Sequence, residues 1–270
     1  ALADTLKAFR QKQGILTKVV SLSECGGNTT TSIRNYILNA YNNWAIPPAA
    51  VLLFGGYYNN SGIVPFYHYT IEGDYASQRY ATDYPYCDMN GDSLPDLSIS
   101  RITARNMAEY QAFVKKTIEY ECNPPIEAAY YNQPIISSGH DENRWFIISS
   151  QSINGFYRNM LGKNPTNLYM LHATSVDPPD SIWSTGYNIP VLLDYFGPNG
   201  QGYLPESISE MHEWLTKSDT VPLHSALNEG AFLTLYRGHS YPYGWWYPSF
   251  TTGSLSCLVG EPMTFVISIS

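Results

Sequence analysis

The chain has 270 residues, 15 of them Lys or Arg and 23 Asp or Glu, for a formal charge of −8. That length holds one large domain or two modest ones with ample core, and an acidic chain with only 14% charged residues has no electrostatic footprint for nucleic acid. No run approaches the roughly 18 apolar residues of a membrane span, and 23 Tyr, 18 Pro and 20 Gly suit a loop-rich secreted protein.

Helix and strand patterns alternate from the start. Residues 2–13 have helical spacing (Leu2, Leu6, Phe9) and stop at Gly14, a natural C-terminal cap. Residues 16–22 read as a strand. Thr30 or Thr31 can cap a helix carrying Ile33, Tyr36, Ile37 and Tyr41, which ends before Pro47-Pro48. Residues 51–54 form a short apolar run broken by Gly55-Gly56, the pattern of a buried parallel strand. Strand 96–102 and helix 106–121 follow, and Asn123-Pro124-Pro125 then breaks the pattern. The division is set at 1–128 and 129–270. The second part opens with strand 134–138, helix 145–161 and strand 167–172. Residues 174–205 read as a long connection, a functional loop or lid. Helices near 207–215 and 223–228 precede the last two strand patterns. Strands alternating with helices across short breaks argue for α/β architecture with mainly parallel sheets.

Chemistry concentrates at the end. The run Ala231-Phe232-Leu233-Thr234-Leu235-Tyr236-Arg237 stops at Gly238-His239, and a second apolar run occupies 263–270. Neighbouring parallel strands that each deliver a reactive side chain at the C-terminal edge are how an open α/β sheet builds a site. His239 is the first such side chain; a histidine satisfied by backbone hydrogen bonds is the plain alternative. Upstream, Asp88, Asn90 and Asp92, with Asp96 four residues further on, have the spacing of a calcium loop turned around Gly91. The twelfth position is Ile99, so this is not an EF-hand, and a polar turn ahead of a strand remains open. Cys25, Cys87, Cys122 and Cys257 are too few for a disulfide scaffold, although one or two bridges are possible. Cys257 lies eighteen positions after His239, away from a strand end, and reads as a packed thiol. The aromatic run from Tyr241 to Tyr247 suits a binding groove or a rigid surface loop equally.

Gly238-His239 and Ser249-Phe250-Thr251-Thr252, with a strand about thirty residues after the histidine, resemble the catalytic end of the gingipain family of secreted bacterial cysteine peptidases. The segment from Val51 to Gly55 resembles that family's strand-plus-glycine element. Asp88 to Ile102 resembles its NGD..PD...(G)R signature, and Lys115 to Glu121 resembles its K...YE helix end. Together these cover roughly residues 5–130 and 230–270, in the family's order.

The resemblance implies two side-by-side caspase-like subdomains, with the site in the second. It implies a cysteine endopeptidase in which His239 exchanges the proton and the nucleophilic Cys falls one or two residues past Ser270. The chain is then expected to be a fragment or processed segment, inactive alone. The family acid that orients the histidine belongs in the loop after strand 134–138. Register puts it at His140, and the nearest carboxylate, Asp141, is favoured, with Glu142 second and helix capping as Asp141's other reading. Gly238 is assigned to the oxyanion arrangement. The family's usual Gly-His-Gly is interrupted here by Ser240, which puts that arrangement in question. Arg237 is assigned to the specificity pocket, where a cation suits acidic or neutral side chains; a surface or ion-paired arginine is the alternative. The acid with which relatives bind arginine falls near Gln151, so trypsin-like specificity is not supported. Structural Ca2+ at Asp88, Asn90, Asp92 and Asp96 is also in the family's habit. Expected partners are a peptide or protein substrate and a pro-segment or the remaining C-terminal chain, with no nucleic acid and no membrane span, at a secreted or cell-surface location. The rival is an inactive protein of the same fold serving secretion, adhesion or binding.

Overall fold

The computed structural model describes residues 2–56, 64–72, 77–140, 145–170, 189–206, 215–216, 221–259 and 263–270. The chain divides into two compact units, Ala1–Pro124 and Pro125–Ser270, where the sequence reading placed the break at 128/129.

In the first unit, α1 (Leu2–Lys12) ends as the glycine requires: Gly14 has φ +80° and its amide bonds to Gln11 O. The run after it is not a strand. Ile15, Leu16 and Val19 are exposed, and among the described residues no neighbouring strand offers a ladder to residues 15–20. β propensity without a partner leaves the backbone merely extended. Helix α2 (Thr30–Asn43) is capped one residue earlier than expected, by Thr29, whose hydroxyl accepts from Ser32 N at 3.0 Å. Its Ile33 and Ile37 pack on Leu53 of β1 (Ala50–Phe54), with Tyr86, Met89 and Leu97 completing the core. A hairpin unforeseen in the sequence, β2 (Tyr67–Glu72) with β3 (Ser77–Thr82), precedes β4 (Ser98–Ile102). Strands β1 and β4 pair in parallel, as the alternation implied. Helix α3 (Met107–Cys122) is capped by Asn106, and its Tyr110 packs with Ile102 and Phe54.

Arg101, the penultimate residue of β4, explains the arginine of the signature. Its side chain is 8% exposed, and all five N–H groups are used. Nε and Nη2 fork onto the Asp83 carboxylate at 2.7 Å each. Nη1 donates to Gly55 O and Val64 O, and Nη2 also to Pro65 O. One side chain thus ties the end of β1 to two loops.

The second unit is a five-stranded, wholly parallel sheet. Its spatial order is β12 (Phe265–Ile269), β8 (Leu233–Arg237), β5 (Ile135–Gly139), β6 (Thr166–Met170), β7 (Leu215–Thr216). Strand alternation divides the core between two faces. Ile136 and Leu235 pack with Ile147 and Ile148 of α5 (Phe146–Leu161), while Ile135 and Tyr236 pack with Leu223 of α7 (Val221–Glu229). A short helix α4 (Ala128–Asn132) leads into β5, and α6 (Ile189–Phe196) occupies part of the stretch read as a long loop. The helix expected near 207–215 lies almost wholly outside the described residues. After β8 come three two-residue strands, β9 (Ser240–Tyr241), β10 (Gly244–Trp245) and β11 (Phe250–Thr251), forming an antiparallel meander. Strand β12 lies at the sheet edge with its side chains exposed.

Candidate active site

Strand β8 runs between β12 and β5, so its C-terminal end opens between theirs. Register pairs Arg237 with Ile269 on one side and with Ser138 on the other. His239 leaves this edge two residues later. The expected pairing of the final strand with the histidine strand is therefore present, and it extends past the ladder: Gly238 N donates to Ile269 O at 3.3 Å, and the hydroxyls of Ser240 and Ser270 meet at 2.7 Å.

The backbone of His239 is clamped from two directions. Its carbonyl accepts from Tyr236 Oη at 2.6 Å and from Trp246 N at 2.9 Å. Tyr236 is wholly buried and stacks on Trp245, ring centroids 4.3 Å apart and the planes nearly parallel; Trp245 Nε1 in turn reaches Ser268 of β12 at 3.0 Å. Burial pushes the Tyr236 phenol up to about 12, against hydrogen bonds from the Trp246 and Tyr247 amides that favour the phenolate. Gly238 is needed for room, not for unusual φ: a Cβ there would lie 2.5 Å from the Tyr236 hydroxyl.

The His239 ring meets Phe146 edge to face at 5.1 Å and Trp246 at 6.1 Å. These three, with Gly139, His140 and Tyr247, line a shallow depression of about 10 Å³, room for about one water. Its far wall approaches closely because β5 ends in glycine: a Cβ on Gly139 would sit 2.6 Å from Tyr247 O. Of the aromatic run, Trp246 and Tyr247 line the depression, while Tyr241 and Tyr243 are exposed.

The other anticipated residues divide. Asp141 and Glu142 lie outside the described residues. His140, where register placed the family acid, is 4% exposed and lines the depression. The Gly238 amide is committed to the ladder, by a bond longer than the usual 2.7–3.2 Å range, so an oxyanion role requires exchanging that bond for substrate. Arg237 stands at the site, its guanidinium 4.8 Å above the Phe146 ring. Gln151 is buried in the core and accepts from Tyr169 Oη at 3.1 Å. Cys257 corrects the packing expectation: it ends a 3-10 turn, exposed, and is not among the residues lining the depression. A two-turn 3-10 segment on the surface leaves its thiol nothing to pack against. All four cysteines are free thiols, so no bridge forms.

In the first unit, the carboxylates of Asp88, Asp92 and Asp96 accept from the loop's own amides at Gly91, Leu94 and Met89, 2.7–2.8 Å away. Among the described residues no group of three or more His, Cys, Asp or Glu is placed to hold a metal ion. The loop turns at two positive-φ positions, Gly91 (φ +80°) and Ser93 (φ +66°).

Phe146 and Tyr236 were not singled out as site residues in the sequence, and Trp246 entered only as part of the aromatic run. The alternation of β8 could have marked Tyr236 as facing inward, but nothing local marks Phe146.

The family model for peptidase family C25 matches residues 1–270. The chain belongs to peptidase family C25. Two solved structures share its fold. A crystal structure of the Arg-specific cysteine proteinase gingipain R (RgpB) is 15% identical with a TM-score of 0.66, covering 98% of this chain and 51% of its own. A complex of Porphyromonas gingivalis RgpB pro- and mature domains is 15% identical with a TM-score of 0.64, covering 99% and 51%. The C25 chain thus spans about half the length of these relatives. No curated protein sequence matches it. Among the described residues no helix is long and apolar enough to cross a membrane.

Proposed function

We propose that the complete protein is a cysteine endopeptidase in which His239 is the general acid and base and a cysteine following β12 is the nucleophile. The observation that carries this is the strand-end geometry. The Gly238–Ile269 bond and the Ser240–Ser270 contact bring the end of β12 beside the turn that presents His239. A thiol with an ordinary pKa near ~8.5 is mostly protonated at neutral pH. The imidazole takes that proton, and the thiolate attacks the peptide carbonyl carbon. As the tetrahedral adduct collapses, the imidazolium protonates the leaving amine. Water then attacks the acyl-enzyme, giving up its proton to His239, and the thiol is released. A carboxylate at Asp141 would orient the ring and favour its charged form, and the Gly238 amide would receive the oxyanion.

The complex of pro- and mature domains in a relative supports a pro-segment as a partner, and a secreted or surface location is proposed from membership of family C25. Calcium at the 88–96 loop is proposed as a structural ion, supported by the alternating oxygens and the positive φ of Ser93. The complete protein and its His239→Ala variant, assayed on a mixed peptide library, test the reading. Cleavage that His239→Ala abolishes without loss of folding supports it. Absence of cleavage in both favours the inactive, binding protein, and equal cleavage by both removes His239 from the mechanism.

A further inference from the structure

We infer that Arg237 recognises a substrate carboxylate, the side chain of Asp or Glu on the acyl side of the scissile bond; this rests on the peptidase reading of the His239 site. The two arginines near strand ends in this chain make the case by contrast. Arg101, the penultimate residue of β4, has all five donors used and a carboxylate partner. Arg237, the last residue of β8, has among the described residues one long hydrogen bond, Nη1 to Ile269 O at 3.4 Å, and no ion pair.

What holds Arg237 in place is a ring. Its guanidinium lies 4.8 Å over Phe146, and the same ring receives the edge of His239 at 5.1 Å. Phe146 is therefore a shared platform that fixes the cation beside the catalytic imidazole. Stacking restricts the guanidinium plane while leaving its N–H edge available. A planar fork with open donors matches a carboxylate bidentately. A lysine or arginine of the substrate would meet a like charge there instead. Gln151, the counterpart of a pocket acid in the sequence reading, is neutral, buried and bonded to Tyr169, so it supplies no counter-charge. The arginine specificity of gingipain R would not carry over.

The test uses the complete protein and a peptide series differing only at the residue before the cleaved bond: Asp, Asn, Glu, Gln, Lys and Arg. A matched pair ends in a free carboxylate or an amide. The acidic peptides should exceed their amide isosteres by about tenfold in kcat/KM, the value of one charge-assisted hydrogen bond. Arg237→Gln should erase that margin, and Arg237→Glu should shift preference to Lys and Arg. Preference for basic residues in the unaltered protein, or an acid margin that survives Arg237→Gln, overturns the inference. A preference that follows the free terminus overturns the side-chain assignment. If no peptide is cleaved, the peptidase reading falls, and binding of the Asp and Asn peptides, followed by tryptophan fluorescence, decides the carboxylate site. Tighter binding of Asp that Arg237→Gln removes supports it, and equal binding overturns it.

Discussion

Replacing Tyr236 with Phe removes one hydroxyl and leaves the stack on Trp245 intact. That hydroxyl donates to His239 O at 2.6 Å, and the same carbonyl keeps its bond from Trp246 N, while the Trp246 and Tyr247 amides lose the phenol oxygen as an acceptor. The loss at pH 8 is therefore at least one net hydrogen bond, about 1 kcal/mol. The pH dependence has the opposite sign. The folded-state phenol is raised to about 12 by burial, against an ordinary value near ~10. Its stabilisation is complete below the unfolded value and is lost as pH rises toward the folded one. Two units correspond to about 2.7 kcal/mol in full, of which about 1.4 kcal/mol is lost by pH 11 and about 2.3 kcal/mol by pH 12. The Phe variant has no such loss. Tyr86 and Tyr169 are raised by burial too, but they titrate alike in both proteins and cancel in the difference. Urea unfolding followed by tryptophan fluorescence should show the unaltered protein more stable by about 1 kcal/mol at pH 8. The gap should close between about pH 10.5 and 11 and then reverse. A gap that stays constant from pH 8 to 11, or a Phe variant as stable as the parent at pH 8, refutes the clamp described for His239.

Three further outcomes follow from the packing. Arg101→Gln strips Asp83 and three carbonyls of their donors and should cost about 3 kcal/mol, read as a lowered melting temperature with faster hydrogen exchange in the first unit. Gly139→Ala forces Tyr247 O away from a Cβ only 2.6 Å distant and should cost about 2 kcal/mol; an unchanged melting temperature would mean the wall of the depression yields freely. A calcium chelator should lower the melting temperature, whereas no change means the 88–96 loop is held by its own amides alone.

The sequence made strands β1, β5, β8 and β12 legible as short runs rich in apolar and β-branched residues, and β4 and β6 by their place between a break and the next element. Helix ends were legible for a chemical reason, with Gly14 and Asn106 acting where their side chains, or lack of one, dictate. The run at 16–22 misled because composition reports a strand's propensity and not whether a partner strand exists. The hairpin β2–β3 and helix α6 were missed in stretches dense in Gly, Tyr and Pro, where loop signals overwhelm periodicity. Of the site, His239 and Arg237 stood out by their position at a strand end. Phe146 did not, since its contacts with both come from folding α5 against β8, a pairing that spans ninety residues. Cys257 was misjudged because a thiol's burial depends on what surrounds it.

The most direct test is alkylation of the complete protein by iodoacetamide at neutral pH, with the modified cysteine located by peptide mass mapping. The account predicts rapid labelling of one cysteine following β12, slowed at least tenfold by His239→Ala because the imidazole no longer generates the thiolate. Labelling that is indifferent to His239, or His239-dependent labelling confined to Cys257, would contradict it.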